Sequence, residues 1–328
     1  MIDFEVLPRG FNEVATANNK PAVAIDTIEV KFDASSNVQS KSLYGNSVMQ
    51  VRVLVLVTGK DEDDNPAPLP NSVLGSVMPI YYNGGQPLTG NWFSTWEENE
   101  YLHELPSTFS QRGTELSASE AKARSIPHVV EFWISSKVVG SAQIAAQVTI
   151  NGKTVKSNNT GSDLHDSSVT LNAILPPVYP IEYFKQQRLK VENTPGLSDI
   201  FKIYLSLSLP SGGVNLRKFS WAGYPMTEVL RDVYAPNYWT FFLGLVHPDV
   251  TSCPVPLMNG GGVFNVRVND RVGELNLVES LNYKTGVGPK KLDIFYFSAI
   301  DDYGTSHKLR IRPTFRNGQI YERILERG

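Results

Sequence analysis

Apolar and polar residues alternate with a period of two along much of this chain, most clearly over residues 49–70, MQVRVLVLVTGKDEDDNPAPLP. Val51, Val53, Val55 and Val57 fall on one face, while Gln50, Arg52, Leu54 and Leu56 on the other grade from polar to apolar. A β-branched run with this period is a strand, because successive side chains of an extended backbone point to opposite sides. Leu54 and Leu56 further predict a central strand whose second half is covered on both faces. The Asp61-Glu62-Asp63-Asp64-Asn65 cluster and the prolines behind it end the run as a turn.

The same grammar recurs. Extended segments are predicted at 24–32, 77–82, 128–135, 142–149, 154–156 and 169–175. A second series follows at 201–209, 237–246, 263–268, 275–281, 292–300, 308–315 and 319–325. In the 201–209 run, Phe201, Ile203, Leu205, Leu207 and Leu209 share one face, and Trp92 to Glu100 reads as a strand or a short bend. Asn151-Gly152 and Asn317-Gly318 each separate two extended runs, and Asn-Gly suits the positive φ angles of a type I′ hairpin turn. One helix is predicted, at 114–124, with Ser117 and Glu120 as a capping box.

Regularly spaced strands without intervening helices predict an all-β protein of two antiparallel β-sandwich-like domains, with long loops and little helix. Pro176-Pro177-Val178-Tyr179-Pro180 can join neither a helix nor a ladder, so the domain boundary is placed there. Residues 1–178 then form an N-terminal sandwich and residues 179–328 a second sandwich or jelly-roll-like domain, each long enough to bury its own core.

The run VRVLVLVTGKDEDDNPAPLP resembles an early strand and following loop of bacterial immunoglobulin-like domains. Phe132 to Lys156, with its Asn-Gly hairpin, resembles the later hairpin of such a domain. The resemblance covers residues 45–175. It implies adhesion, display or assembly, with the domain as a spacer or binding module.

Composition narrows the functions. With 30 basic and 33 acidic residues and a net charge of −3, the chain has no long basic run to capture nucleic acid or anionic lipid. Cys253 is the only cysteine, which excludes an intramolecular disulfide and a thiolate metal cluster. Its neighbours Pro254 and Pro256 predict a buried loop cysteine rather than a nucleophile. No segment approaches the ~20 apolar residues of a membrane helix. The opening MIDFEVLPRGFNEV lacks the basic start and apolar core of a secretory leader, which predicts cytosolic synthesis. An extracellular role would then follow lysis, assembly into a particle or a non-classical route.

Several clusters could carry chemistry. Asp61, Asp63 and Asn65 have the spacing of the opening ligands of a Ca²⁺ loop, but Pro66 and Ser72 stand where the later glycine and glutamate belong. A solvated acidic turn is the default there, and Asp301-Asp302 raises the same question. Trp92, Trp96, Glu97, Glu98, Glu100 and His103 form the densest aromatic and carboxylate cluster. It suits sugar stacking, or an acid and base pair for glycoside hydrolysis, against a default of core tryptophans and solvated glutamates. The other histidines, His128, His165, His247 and His307, show no pair at metal-ligand spacing; His165 with Asp163 and Asp166 is the one metal or acid–base candidate among them, against a solvated polar loop, and Gly260 to Gly262 lacks a phosphate loop's following Lys-Ser/Thr. Lys308, Arg310 and Arg312 share one strand face near Pro313, with Arg316 beyond, and an anionic partner is the alternative to a solvated face.

Three functions are compatible with this pattern. The leading one is a non-enzymatic structural or recognition protein with protein partners and a tendency to homo-oligomerise, for example a phage or phage-tail-like receptor-binding component. The second is a released toxin or adhesin that binds cell-surface glycans or membranes. The third is a carbohydrate-active enzyme centred on residues 92–104. No cofactor is expected, Ca²⁺ being the one candidate.

Overall fold

The computed structural model describes residues 20–34, 37–105, 127–159, 165–194, 198–220, 226–231, 237–257, 262–285, 291–292, 294–316 and 319–328. The helix predicted at 114–124, the Asn317-Gly318 turn, Asp163, Gly260 and Gly261 lie outside these residues. The described residues are almost all β, and the chain divides into two compact units, Met1–Pro176 and Pro177–Gly328.

The first unit contains β1 (Ala24–Lys31), β2 (Ser40–Tyr44), β3 (Val51–Lys60), β4 (Pro66–Ala67), α1 (Asn71–Leu74), β5 (Met78–Tyr81), β6 (Trp92–Thr95), β7 (His128–Ser136), β8 (Gly140–Ile150), β9 (Lys153–Lys156) and β10 (Val169–Ile174). One sheet runs β1-β3-β7-β6 with β4 on β3, and the other runs β2-β10-β8-β5 with β9 on β8. All these pairings are antiparallel except that of β2 with β10, which is parallel.

The valine row of β3 is the floor of this core. Val51, Val53, Val55 and Val57 are at most 1% exposed, beside Ile28 and Val30 of β1 and Phe132 and Ile134 of β7. Ile144, Ala146, Val148 and Leu171 are buried on the second sheet. Each buried valine contributes about 1.5 kcal/mol or more. A one-residue slip would exchange the whole row for Arg52 and its neighbours, so burial sets the register. Leu54 and Leu56 are buried too, which makes β3 covered on both faces over its second half. Asn151 (φ 49°) and Gly152 (φ 76°) make the type I′ turn that joins β8 to β9.

The second unit contains β11 (Phe184–Lys190), β12 (Ser198–Leu207), β13 (Leu216–Ser220), β14 (Met226–Arg231), β15 (Asn237–Leu245), β16 (Ser252–Pro256), β17 (Val263–Arg267), β18 (Leu275–Thr285), β19 (Lys291–Leu292), β20 (Phe295–Asp301), β21 (Ser306–Arg316) and β22 (Gln319–Arg327). Its sheets run β11-β12-β18-β15-β14-β19 and β13-β20-β21-β22, and β16 pairs with β17 as a separate hairpin. Ile203, Leu205, Leu275 and Leu277 form one buried face of the larger sheet. The hairpin covers the other face, where Val255 and Val266 pack on Ile200 and Val278. The predicted one-sided strand at 201–209 is therefore covered on both sides over part of its length. Cys253 is buried as expected but lies in strand β16 rather than in a loop. The flanking prolines are accommodated because β16 has a strand partner on one side only.

Candidate functional site

The acidic turn after β3 satisfies itself. Asp61 is buried, and its Oδ1 accepts from the amides of Asp63 and Asn65 at 2.9 Å each. Asp63 pairs instead with Lys20 at 2.7 Å, and Asp64 with Lys60 at 2.6 Å. The side chains thus reach for backbone amides and lysines. Among the described residues, no group of three or more His, Cys, Asp or Glu could hold a metal ion. The same turn recurs in the second unit after β20. Asp301 Oδ1 accepts from the amides of Tyr303 and Thr305 at 2.9 Å each, and Gly304 (φ 73°) stands where Asp64 (φ 61°) does. In both turns the fourth residue is left-handed, which short polar residues and glycine tolerate.

The 92–104 segment is drawn apart by the fold. Trp92 pairs across from Ser136, is 5% exposed in the core and does not line the cleft described below. Trp96 is 42% exposed, its ring 4.3 Å from that of Phe132. Glu97, Glu98 and Glu100 are exposed. Gln50 pins the segment from below: its Nε2 donates to the Glu97 carbonyl at 3.2 Å, and its Oε1 accepts from the Asn99 amide at 2.8 Å. Asn99 Nδ2 donates to the Val48 carbonyl at 2.6 Å. His103 packs on Trp133 with its ring tilted by 43° at 4.4 Å, and meets two acceptors, the Gln50 carbonyl at 3.2 Å and Glu98 Oε1 at 3.1 Å.

This anchoring builds a cleft of about 430 Å³ at one end of the first unit. Its apolar floor is Phe32, just past β1, Val51 at the start of β3 and Trp133 of β7, which are 1–6% exposed. Leu102, His103 and Glu104 of the pinned segment form one wall, and Asp33, Lys41 and Arg52 supply the opposing polar groups. Lys41 Nζ lies 3.5 Å from Glu104 Oε1 and 5.6 Å from the Phe32 ring, and Arg52 reaches Glu131 at 3.6 Å. Apolar concavity with a few convergent charged groups is the usual form of a small-ligand site. Of the predicted cluster, His103 lines the cleft. Asp33, Lys41, Arg52 and Trp133 were missed because they come from separate segments of the chain and carry no local motif.

Lys308, Arg310 and Arg312 lie where the alternation puts them, on the face of β21 opposite the buried Leu309 and Ile311. Arg310 Nε bonds Glu326 Oε2 at 2.9 Å, and Arg312 bonds Glu326 Oε1 through Nε at 3.1 Å and Nη2 at 2.6 Å. Arg312, with Arg310 beside it, holds the Glu326 carboxyl below the usual carboxylate range. A contact with the Tyr296 hydroxyl, reinforced by Glu326, raises the Arg310 pKa.

Other ionic groups are internal to the second unit. Glu279 of β18 is fully buried between Arg188 of β11, which binds it at 2.7 and 3.1 Å, and Arg323 of β22. The buried His307 Nε2 lies 3.0 Å from Asp301 Oδ2. Lys202 and Tyr204 converge on Asp270 at 2.9 Å each, and although burial opposes it, these two partners hold the Asp270 pKa down. These side chains tie strands together: Glu279 links the two sheets, and Asp270 fastens the loop after β17 onto β12.

No protein-family model and no curated protein sequence matches the chain. Among solved structures, one similar chain is the C-terminal domain of the Streptococcus pyogenes antigen I/II-family protein AspA. It shows 8% sequence identity and a TM-score of 0.21, with 88% of this chain and 97% of that one covered. Backbones that differ by so much lend no support to a shared ligand or role.

Proposed function

We propose that the chain is a non-enzymatic recognition protein that binds a saccharide in the end cleft of its first unit. The supporting observation is the convergence of Phe32, Lys41, Arg52, His103 and Glu104 from four segments on one concavity with an apolar floor. A sugar presents one apolar ring face and a rim of hydroxyls, and it needs this combination of apolar surface with donors and acceptors. Trp96 and Phe93 are exposed in the adjoining segment but do not line the cleft. Single-site affinity for such a ligand is low, so display of several copies on a particle or cell surface would multiply it.

Saturation-transfer NMR against a panel of oligosaccharides tests the reading. At least one glycan should bind the wild type, Arg52→Ala and Lys41→Ala should each weaken it about tenfold, and no glycan should be hydrolysed. A wild type that binds none of the panel sinks the proposal. Turnover that disappears in a Glu97→Gln/Glu98→Gln/Glu100→Gln variant would instead establish an enzyme.

A further inference from the structure

We propose that the outer face of the β13-β20-β21-β22 sheet is a second recognition surface, and that it takes an anionic polysaccharide bearing carboxylates or sulfates. This inference is independent of the cleft in the first unit.

Alternate residues of a strand stand about 6.8 Å apart, so Lys308, Arg310 and Arg312 form a straight row about 14 Å long. The row cannot turn inward, because Leu309 and Ile311 between them are at most 1% exposed. Its two guanidinium groups are already ordered. Glu326 grips both, and Tyr296 touches Arg310, so little side-chain freedom remains to be lost on binding. Glu326 engages Nε of Arg310 and Nε and Nη2 of Arg312, while a guanidinium carries five N–H donors. Donors therefore remain for an incoming oxyanion, and among the described side chains Glu326 sets one negative charge against the three cations of the row.

Tyr296 gives the surface its second element. It stands opposite Arg310 in the β20–β21 ladder and is 59% exposed, a flat apolar ring beside a cation. A sugar ring on Tyr296 with its acidic group on Arg310 and the next on Lys308 or Arg312 matches that layout. A nucleic acid strand fits it less well. Such strands are held by successive aromatic platforms and a strongly basic field, whereas among the described residues Tyr296 is the one platform on this row and the chain's net charge is −3.

The test uses the full-length chain and fluorescence anisotropy with labelled oligogalacturonate, chondroitin sulfate oligosaccharide, neutral dextran oligosaccharide and a thymidine oligonucleotide. At least one acidic glycan should bind, more weakly as NaCl rises from about 50 to about 300 mM, and dextran should not. Lys308→Gln/Arg310→Gln/Arg312→Gln should weaken binding about tenfold or more, and Tyr296→Ala by roughly threefold. Arg310→Lys/Arg312→Lys keeps the charge and should lose less than the glutamine variant. The loss caused by the glutamine variant should be the same in an Arg52→Ala background, which separates failure here from failure of the cleft. The proposal is overturned if neither acidic glycan binds, if dextran binds equally and loses as much in the glutamine variant, or if the oligonucleotide binds more tightly than both glycans. Undiminished binding by a folded glutamine variant overturns it too. Should that variant not fold, Lys308→Glu and Tyr296→Ala, both at exposed positions, decide in its place.

Discussion

The Leu69 amide donates to Nε2 of His128 at 3.2 Å, a bond that needs a ring nitrogen with a free lone pair. Burial pushes the pKa of His128 below its ordinary value of about 6.5. Because the folded value lies below the unfolded one, the unfolded chain takes up the proton first as pH falls. The contribution of His128 is complete above about pH 6.5 and is lost as pH drops below it. Thermal melts between about pH 7.5 and 5 should show a decline that His128→Gln reduces, and an unchanged profile in that variant would refute the assignment. Glu279 is the opposite case, a charge kept in the interior by two arginines. Glu279→Gln leaves Arg188 and Arg323 without their counter-charge and should cost about 3–5 kcal/mol in denaturant unfolding. Replacing all three with Leu and Met should recover most of that loss, since the ion cluster offsets its own desolvation only while complete. Alternation alone shows that Glu279 lies on the apolar face of its strand; it does not show which cations come to meet it.

At the scale of elements, strands with apolar periodicity were legible and polar edge strands were not. β3, β7 and β8 advertise themselves because they are central and bury a full face. β2 (SKSLY) and β11 (FKQQRLK) are polar edges, and the backbone bonds of both and the Arg188–Glu279 tie of β11 leave no mark on the residue pattern. The parallel pairing of β2 with β10 likewise depends on where the chain travels between them. The acidic turn was legible as a turn, and its spacing raised a Ca²⁺ question that the hydrogen bonds reframe. Asp61→Ala removes the acceptor of two amides and should destabilise the first unit by about 1–3 kcal/mol. EDTA should leave the wild-type melting temperature unchanged, and a drop of several degrees on chelation would reinstate a bound metal.

At the scale of the molecule, the two compact units should unfold separately. Calorimetry should resolve two transitions, with Glu279→Gln lowering one and His128→Gln altering the pH response of the other. A single transition shifted as a whole by Glu279→Gln would contradict this. The cleft shows why function was harder to read than fold. Sequence neighbours Trp92, Trp96 and Glu97 looked like one site, but β6 sends Trp92 into the core, leaves Trp96 exposed, and brings only the end of the segment to Arg52 and Lys41. By itself the sequence determined the β class, the main strands, the register of β3 and the basic row of β21, because each follows from alternation and burial over neighbouring residues. The tertiary structure alone decided which side chains meet: the arginines around Glu279, the residues around the cleft, and the amides that take up Asp61 and Asp301. Such convergence is set by pairing between strands far apart along the chain, and no local pattern encodes it.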